Sequence, residues 1–259
     1  MTGLPVISLA RAEQGDEAKV ADEISRACTE TGFFVVRDHG IDREVFDTTY
    51  ELSFGVGRLV LDETEQLPFP ADKRGIALRD ALKTYVAACR SVADRVTELL
   101  TMAPDPPDAV AAARTDRSDD SLRCPYHLGE REEPLGDRGT GDDTLITLLT
   151  EDGPGLQLRD LSGNWIDVDV PGRDWFIVGV GGLSARWSND AYVSTPRRVG
   201  LGDRPRQSIA FFKLANDDAV VESFPEPTRE RPATYVPIRD EQFSSQKMDA
   251  LFGREEVRL

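Results

Sequence analysis

The hydrophobic period of the chain changes near residue 121. Before that point apolar residues recur at helical spacing. Leu78, Leu82, Tyr85, Cys89, Val92, Val96 and Leu99 alternate steps of four and three, which predicts one long scaffold helix over about 75–102 with a continuous buried stripe. Pro104, Pro106 and Pro107 end it. After that point the pattern turns to short apolar runs at 122–127, 144–150, 155–160, 164–170, 174–180, 197–201 and 206–214. They are separated by turn formers such as Asp152-Gly153-Pro154-Gly155, Ser162-Gly163-Asn164 and Pro171-Gly172. Short strands at such regular spacing predict a β-sandwich or barrel.

The N-terminal part reads as strand, helix, strand, helix. Pro5-Val6-Ile7-Ser8-Leu9 is a short apolar run, and Asp16 opens a helix whose buried positions are Val20, Ile24 and Cys28. Gly32 suits its C-terminal cap. Phe33-Phe34-Val35-Val36 is strand-like and ends in the turn Asp38-His39-Gly40. Asp42 is placed to cap a helix reaching to about Leu61, although Gly55 and Gly57 weaken its end. Residues 62–75 read as a connection, 104–120 as a polar connection or short helix, and 239–252 as a last short helix. The expectation is a single domain over 1–259, mainly β with scaffold helices. Residues 1–120 carry the helices, 121–238 the double-sheet core, and 239–259 the terminal helix.

Composition narrows the function. Acidic residues outnumber basic ones 47 to 31, for a net charge of −16, which excludes a general nucleic-acid binder. No apolar run approaches the ~18 residues of a membrane span. The N-terminus has no basic segment followed by an apolar run, so no signal peptide is expected. Cys28, Cys89 and Cys124 are odd in number and widely spaced, as in buried free thiols of a reducing cytoplasm. There are two histidines, His39 and His127. The chain has no GxSxG, Walker A, GxGxxG or HExxH segment.

Several segments nevertheless fall into a recognisable order. They are Leu4-Pro5-Val6-Ile7-Ser8-Leu9, Gly32-Phe33-Phe34-Val35-Val36 leading to Asp38-His39-Gly40-Ile41, and Leu122-Arg123 with Tyr126. Leu145-Ile146-Thr147-Leu148-Leu149, Gly155-Leu156-Gln157-Leu158 and Gly163-Asn164-Trp165-Ile166-Asp167-Val168 follow. Arg186-Trp187-Ser188-Asn189, Ser194-Thr195-Pro196, Arg198-Val199 and Arg206-Gln207-Ser208-Ile209-Ala210-Phe211-Phe212 close the series. In this order the chain resembles the iron(II)/2-oxoglutarate-dependent dioxygenase superfamily, in its isopenicillin N synthase-like branch. The resemblance implies a double-stranded β-helix, or jelly roll, and an iron held by two histidines and a carboxylate on one face.

The same resemblance implies that the site has changed. The family's His-x-Asp falls on Thr140-Gly141-Asp142, so Thr140 stands for the first histidine and Asp142 keeps the carboxylate. The second histidine falls on Arg197. A family Asn-x-Gly-Asp falls on Gly179-Val180-Gly181-Gly182, and an insertion that helps wall the substrate pocket in relatives is short between Pro70 and Leu78. His39 falls on a family histidine that lies away from the metal. Tyr126 and His127 fall on a strand near the 2-oxoglutarate pocket, and Cys124 sits on the same run. Arg206 and Ser208 match a pair that takes a carboxylate in relatives, an arginine fork with a nearby hydroxyl. The competing expectation for Arg206 is a bond to an acid of the chain itself.

These readings give a site without metal and without a cofactor. Asp142, Arg197, His127 and Tyr126 are its candidate catalytic groups, and Arg206, Ser208 and Thr140 its candidate ligand-binding groups. Arg197 is expected to take the place of the metal by reaching Asp142. The expected partner is a small molecule, carboxylate-bearing, in a specialised biosynthetic pathway, with no nucleic acid and no membrane. Three functions remain open: metal-independent, non-oxidative chemistry (cyclisation, isomerisation, elimination or hydrolysis), a non-catalytic binding or accessory role, and an oxygenase with an altered metal site.

Overall fold

The computed structural model describes residues 3–54, 56, 59–61, 72–103, 120–124, 126–127, 142–168, 172–199, 205–216, 218–222 and 232–239, with 59–61, 126–127 and 199 as backbone alone. Strand β1 (Val6–Ser8) leads through a π-helical turn into α1 (Glu17–Glu30), then β2 (Phe33–Arg37), α2 (Arg43–Ser53), β3 (Leu59–Leu61) and α3 (Lys73–Thr101). The strand-rich part contains β4 (Ser121–Cys124), β5 (Tyr126–His127), β6 (Ile146–Glu151), β7 (Leu156–Arg159), β8 (Trp165–Val168) and β9 (Phe176–Val180). Helix α4 (Gly182–Trp187), β10 (Arg197–Val199), β11 (Arg206–Lys213), β12 (Val220–Val221) and β13 (Ile238–Arg239) complete it.

The long-helix expectation holds along its stripe. Asp72 caps α3 by accepting the Gly75 N–H at 2.8 Å, and all seven stripe residues are buried. Gly32 follows α1 at φ +70°, its N–H returning to the Ala27 carbonyl at 3.0 Å. A side chain there would also collide with the chain, since a Cβ would stand 2.0 Å from the Val193 carbonyl oxygen.

Other boundaries differ from the sequence reading. The helix opened at Asp42 stops at Ser53, and Phe54 turns away at ψ 127°. The stretch predicted to carry it on to residue 61 instead includes β3, an edge strand paired with β4. Its Leu59-Val60-Leu61 backbone gains a ladder partner there, which outweighs a weak helical propensity broken by two glycines. The run at 122–127 is two strands flanking Pro125, which has no N–H for the ladder. Helix α4 and strands β12 and β13 were not expected. The predicted terminal helix lies outside the described residues apart from Arg239, which ends β13.

An eight-stranded sheet runs β1-β2-β9-β6-β11-β4-β3, with β5 also on β11. A three-stranded sheet runs β10-β7-β8. The period of two sorts the strands of the large sheet into two cores. Phe34, Val36, Leu148, Val178, Ile209 and Phe211 pack against α1, α2 and α3. Phe33, Val35, Leu149, Ile177, Ala210 and Phe212 pack between the sheets against Leu156, Leu158 and Val168. Lys213, buried at the end of β11, fastens the sheet to α3 through Asp94 at 2.8 Å and also pairs with Asp120, just before β4, at 3.4 Å. No helix among the described residues is long and apolar enough to cross a membrane.

Candidate active site between the two sheets

Parity along three strands decides what faces the space between the sheets. On β11, Arg206 and Ser208 share the side of Ala210 and Phe212. On β6, Thr147 and Glu151 share the side of Leu149, and the ladder sets Glu151 opposite Ser208 and Thr147 opposite Phe212. On β10, Arg197 pairs with inward Leu158, and its guanidinium lies 5.8 Å from the Phe212 ring centre. Arg198, one residue on, takes the other face, bonding Gln157 at 2.7 Å and lying 4.3 Å from the Trp165 ring centre.

Asp142 stands just before β6. Its backbone carbonyl accepts the Gly182 N–H at 2.7 Å, which ties it to the start of α4. Its Oδ2 accepts hydrogen bonds from Arg197 Nη1 and, at 2.7 Å, from Thr147 Oγ1. Both partners of the ion pair are 16% exposed. The inward pairing of Arg197 with Asp142 is therefore present, and the threonine that supports it is Thr147. Thr140 lies outside the described residues.

Of the two expectations for Arg206, the bond to an acid of the chain is the one observed. Arg206 is buried at 4% exposure, and its Nη1 donates to Glu151 Oε1 at 3.1 Å. Its Nη2 is also buried and has no hydrogen-bond partner, so half of the fork is uncommitted. Burial pushes the Glu151 carboxyl up to about 7, against the pull of Arg206 and, more weakly, Arg197. Below this pair, Asp152 Oδ1 accepts the Gln207 N–H at 2.7 Å and Gln207 Nε2 donates to Ser53 at 2.6 Å. On the helix side, Thr150 is bonded by the Tyr50 hydroxyl at 2.9 Å and the Tyr85 hydroxyl at 3.2 Å.

The remaining candidates divide. The backbone ladder sets His127 opposite Arg206 and Tyr126 opposite Gln207, and no more of these two residues is described. His39 is elsewhere. Its Nε2 is 2.7 Å from the Asp174 carbonyl, its Nδ1 accepts the Ile41 N–H at 3.2 Å, and its ring packs on Phe46 and Phe176. Cys124 is buried in the helix-side core, its thiol pushed up to about 12 by burial. Among the described residues no group of three or more His, Cys, Asp or Glu could hold a metal ion. Sequence reasoning missed Glu151 and Thr147. The one signal in the sequence is that both have the parity of inward Leu149, and that parity alone does not show that the strand's last residue is buried.

Residues 4–114 match the family model described as the non-haem dioxygenase in morphine synthesis N-terminal region, and residues 118–214 match that of the 2OG-Fe(II) oxygenase superfamily. A 2-oxoglutarate-Fe(II) type oxidoreductase of Aspergillus fumigatus is 35% identical over 58% of this chain and 48% of its own length. The chain thus spans about half of that relative. A homoarginine-6-hydroxylase of Arabidopsis thaliana is 24% identical over 85% of this chain and 86% of its own. Among solved structures, the dioxygenase for auxin oxidation in rice superposes with a TM-score of 0.74 at 21% identity, covering 95% of this chain and 95% of that one. The two sheets with their backing helices are accordingly the jelly roll of these proteins, and the chain belongs to the 2OG-Fe(II) oxygenase superfamily.

Proposed function

We propose that this chain binds a carboxylate-bearing small molecule between its two sheets and acts on it by metal-independent, non-oxidative chemistry, as a cytoplasmic enzyme of specialised biosynthesis. The observation that carries this reading is the Arg197–Asp142 ion pair. The superfamily implies iron(II), and the described residues do not fit it. Asp142 is a carboxylate, but Arg197, at the position matching a ligand histidine, has no lone pair to give and carries a permanent charge that repels a dication. The one histidine ring among the described residues, His39, has both nitrogens engaged in the fold.

Two cations, Arg206 from the large sheet and Arg197 from the three-stranded sheet, suit an anionic substrate between them. The uncommitted Nη2 of Arg206 supplies a donor for a carboxylate, with Ser208 beside it on the same face. Arg197 is positioned to stabilise negative charge that develops on the substrate, and Asp142, fixed by Arg197 and Thr147, to accept a proton. His127, opposite Arg206 in the backbone ladder, completes the proposed acid–base set, whereas Tyr126 pairs with Gln207, of the other parity, and is left out of it. The cyclisations, isomerisations, eliminations and hydrolyses within reach of such a set need no oxidant.

The test is anaerobic loading with Fe(II), followed by elemental analysis and an aerobic assay for succinate formed from 2-oxoglutarate. Expected are iron well below stoichiometric, unchanged by Asp142→Asn, and no succinate. Stoichiometric iron that disappears in Asp142→Asn, together with succinate formation, would establish an oxygenase with an altered metal site instead. A panel of small carboxylic acids followed for binding and for product separates an enzyme from a non-catalytic binding protein.

A further inference from the structure

Glu151 was not among the groups the sequence singled out, yet it occupies the residue most suited to bind a ligand. Its Oε1 takes Arg206 Nη1 at 3.1 Å, while Nη2 of the same guanidinium is buried without a partner. A guanidinium fork normally meets a carboxylate through two parallel N–H bonds. Here the chain's own carboxylate fills one prong.

Charge balance determines what an incoming anion must do. Among the described residues, the groups that act on Glu151 are Arg206 from β11, Arg197 from β10 and Asp152 beside it on the chain, with the Tyr50 hydroxyl acting from the helix side of the sheet; His127 stands opposite Arg206 in the backbone ladder. Arg197 is engaged with Asp142, so the two cations already have two carboxylates in Asp142 and Glu151, before Asp152 is counted. A third carboxylate in so buried a place would leave a negative charge uncompensated, at high cost. A proton on Glu151 removes that charge, and a neutral carboxyl no longer competes for Arg206.

We propose that Glu151 is the resident occupant of the carboxylate site, and that an incoming carboxylate replaces it on Arg206 while Glu151 takes up one proton from solvent. The inference rests on the carboxylate site proposed above and adds its control. In the exchange the Glu151 Oε1···Arg206 bond breaks, the ligand's oxygens engage the fork, and the proton comes to rest on the Glu151 carboxyl. The free carboxyl is pushed up to about 7. It is mostly protonated at pH 6 and mostly ionised at pH 8, so proton uptake on binding is small at the first pH and near one at the second.

The experiment is calorimetric titration of the metal-free full chain with 2-oxoglutarate at pH 6, 7 and 8, in two buffers of different ionisation enthalpy. Expected is a proton uptake that rises with pH and an affinity about tenfold weaker at pH 8 than at pH 6, the fraction of chains with protonated Glu151 setting the difference. Glu151→Gln should bind without proton uptake, with equal affinity at all three pH values and about tenfold more tightly than the wild type at pH 8. Binding by Glu151→Gln alone, with none by the wild type, would also support a resident occupant. Wild-type binding at pH 8 without proton uptake overturns the proposal, and this readout needs no variant. Failure of both proteins to bind overturns it too, whereas the metal-free reading stands or falls on the iron and succinate measurements.

Discussion

Gly155 lies directly against the Arg206 guanidinium: a Cβ built on it would stand 3.1 Å from both Cζ and Nε. The residue also sits at φ +131°, where an L side chain is strained. The turn that reads in sequence as a hairpin punctuation is thus also a wall of the site. Gly155→Ala is expected to cost about 1–3 kcal/mol in chemical denaturation and to weaken carboxylate binding, because Arg206 must give way. Unchanged stability and binding in that variant would mean that the guanidinium has room to spare.

The raised Glu151 carboxyl also predicts a pH-dependent stability. A carboxyl whose folded value lies above its unfolded one binds more protons in the folded state, so its contribution is fully present below the unfolded value and is lost as pH rises through the folded one. The loss therefore spans the range from the ordinary 4.5 to about 7. Glu151→Gln mimics the protonated form. It should match the wild type near pH 4 and exceed it at pH 8 by about 3 kcal/mol, at roughly 1.4 kcal/mol per pH unit over the shifted range. Parallel denaturation curves at both pH values would show that Glu151 ionises as freely folded as unfolded.

For His39 the prediction is structural. Burial lowers its pKa, and the Nε2 contact to the Asp174 carbonyl with the Ile41 N–H on Nδ1 fixes the neutral Nε2–H tautomer. Stability from this residue is present above the ordinary histidine range and is lost as pH falls below it. Nitrogen chemical shifts at pH 7 should show that tautomer. His39→Ala should cost about 2–3 kcal/mol through lost packing on Phe46 and Phe176 and two unpaired backbone groups, with carboxylate binding unchanged. A loss of binding without a loss of stability would move His39 into the site.

What could be read in the sequence follows from which interactions are local. The α3 stripe is written in side-chain spacing alone, so all its buried positions were legible. Strands β6, β7, β9 and β11 were legible because turn residues bound them. Strand β3 was not, because an edge strand is set by the partner it finds, here β4 some sixty residues on. The pairing of Arg197 with Asp142 was reachable only through the resemblance, since nothing local links residues on separate sheets. Glu151 was hidden for a different reason. A single acid at the end of an apolar strand reads as a solvated terminus, and only the position of Arg206 across the ladder makes it a buried partner.

The last prediction concerns the ion pair that stands where the superfamily implies a metal. An exposed pair is worth only ~0–1 kcal/mol, whereas breaking a fully buried one costs ~3–5 kcal/mol because the survivor is left charged and unsolvated. At 16% exposure for each partner, Arg197 and Asp142 lie nearer the buried limit. The guanidinium also lies 5.8 Å from the Phe212 ring centre, a contact that contributes ~0.5–1 kcal/mol. Arg197→Ala should therefore destabilise the chain by about 2–3 kcal/mol. Adding Asp142→Asn removes the stranded charge but keeps an acceptor for Thr147 Oγ1, so the double variant should regain at least ~1 kcal/mol as a coupling energy. Denaturation of the two single variants and the double variant in one buffer measures that coupling directly. If Arg197→Ala proves as stable as the wild type, or if the two substitutions simply add, the guanidinium does not neutralise Asp142, and the metal-free reading of the site loses the observation on which it stands.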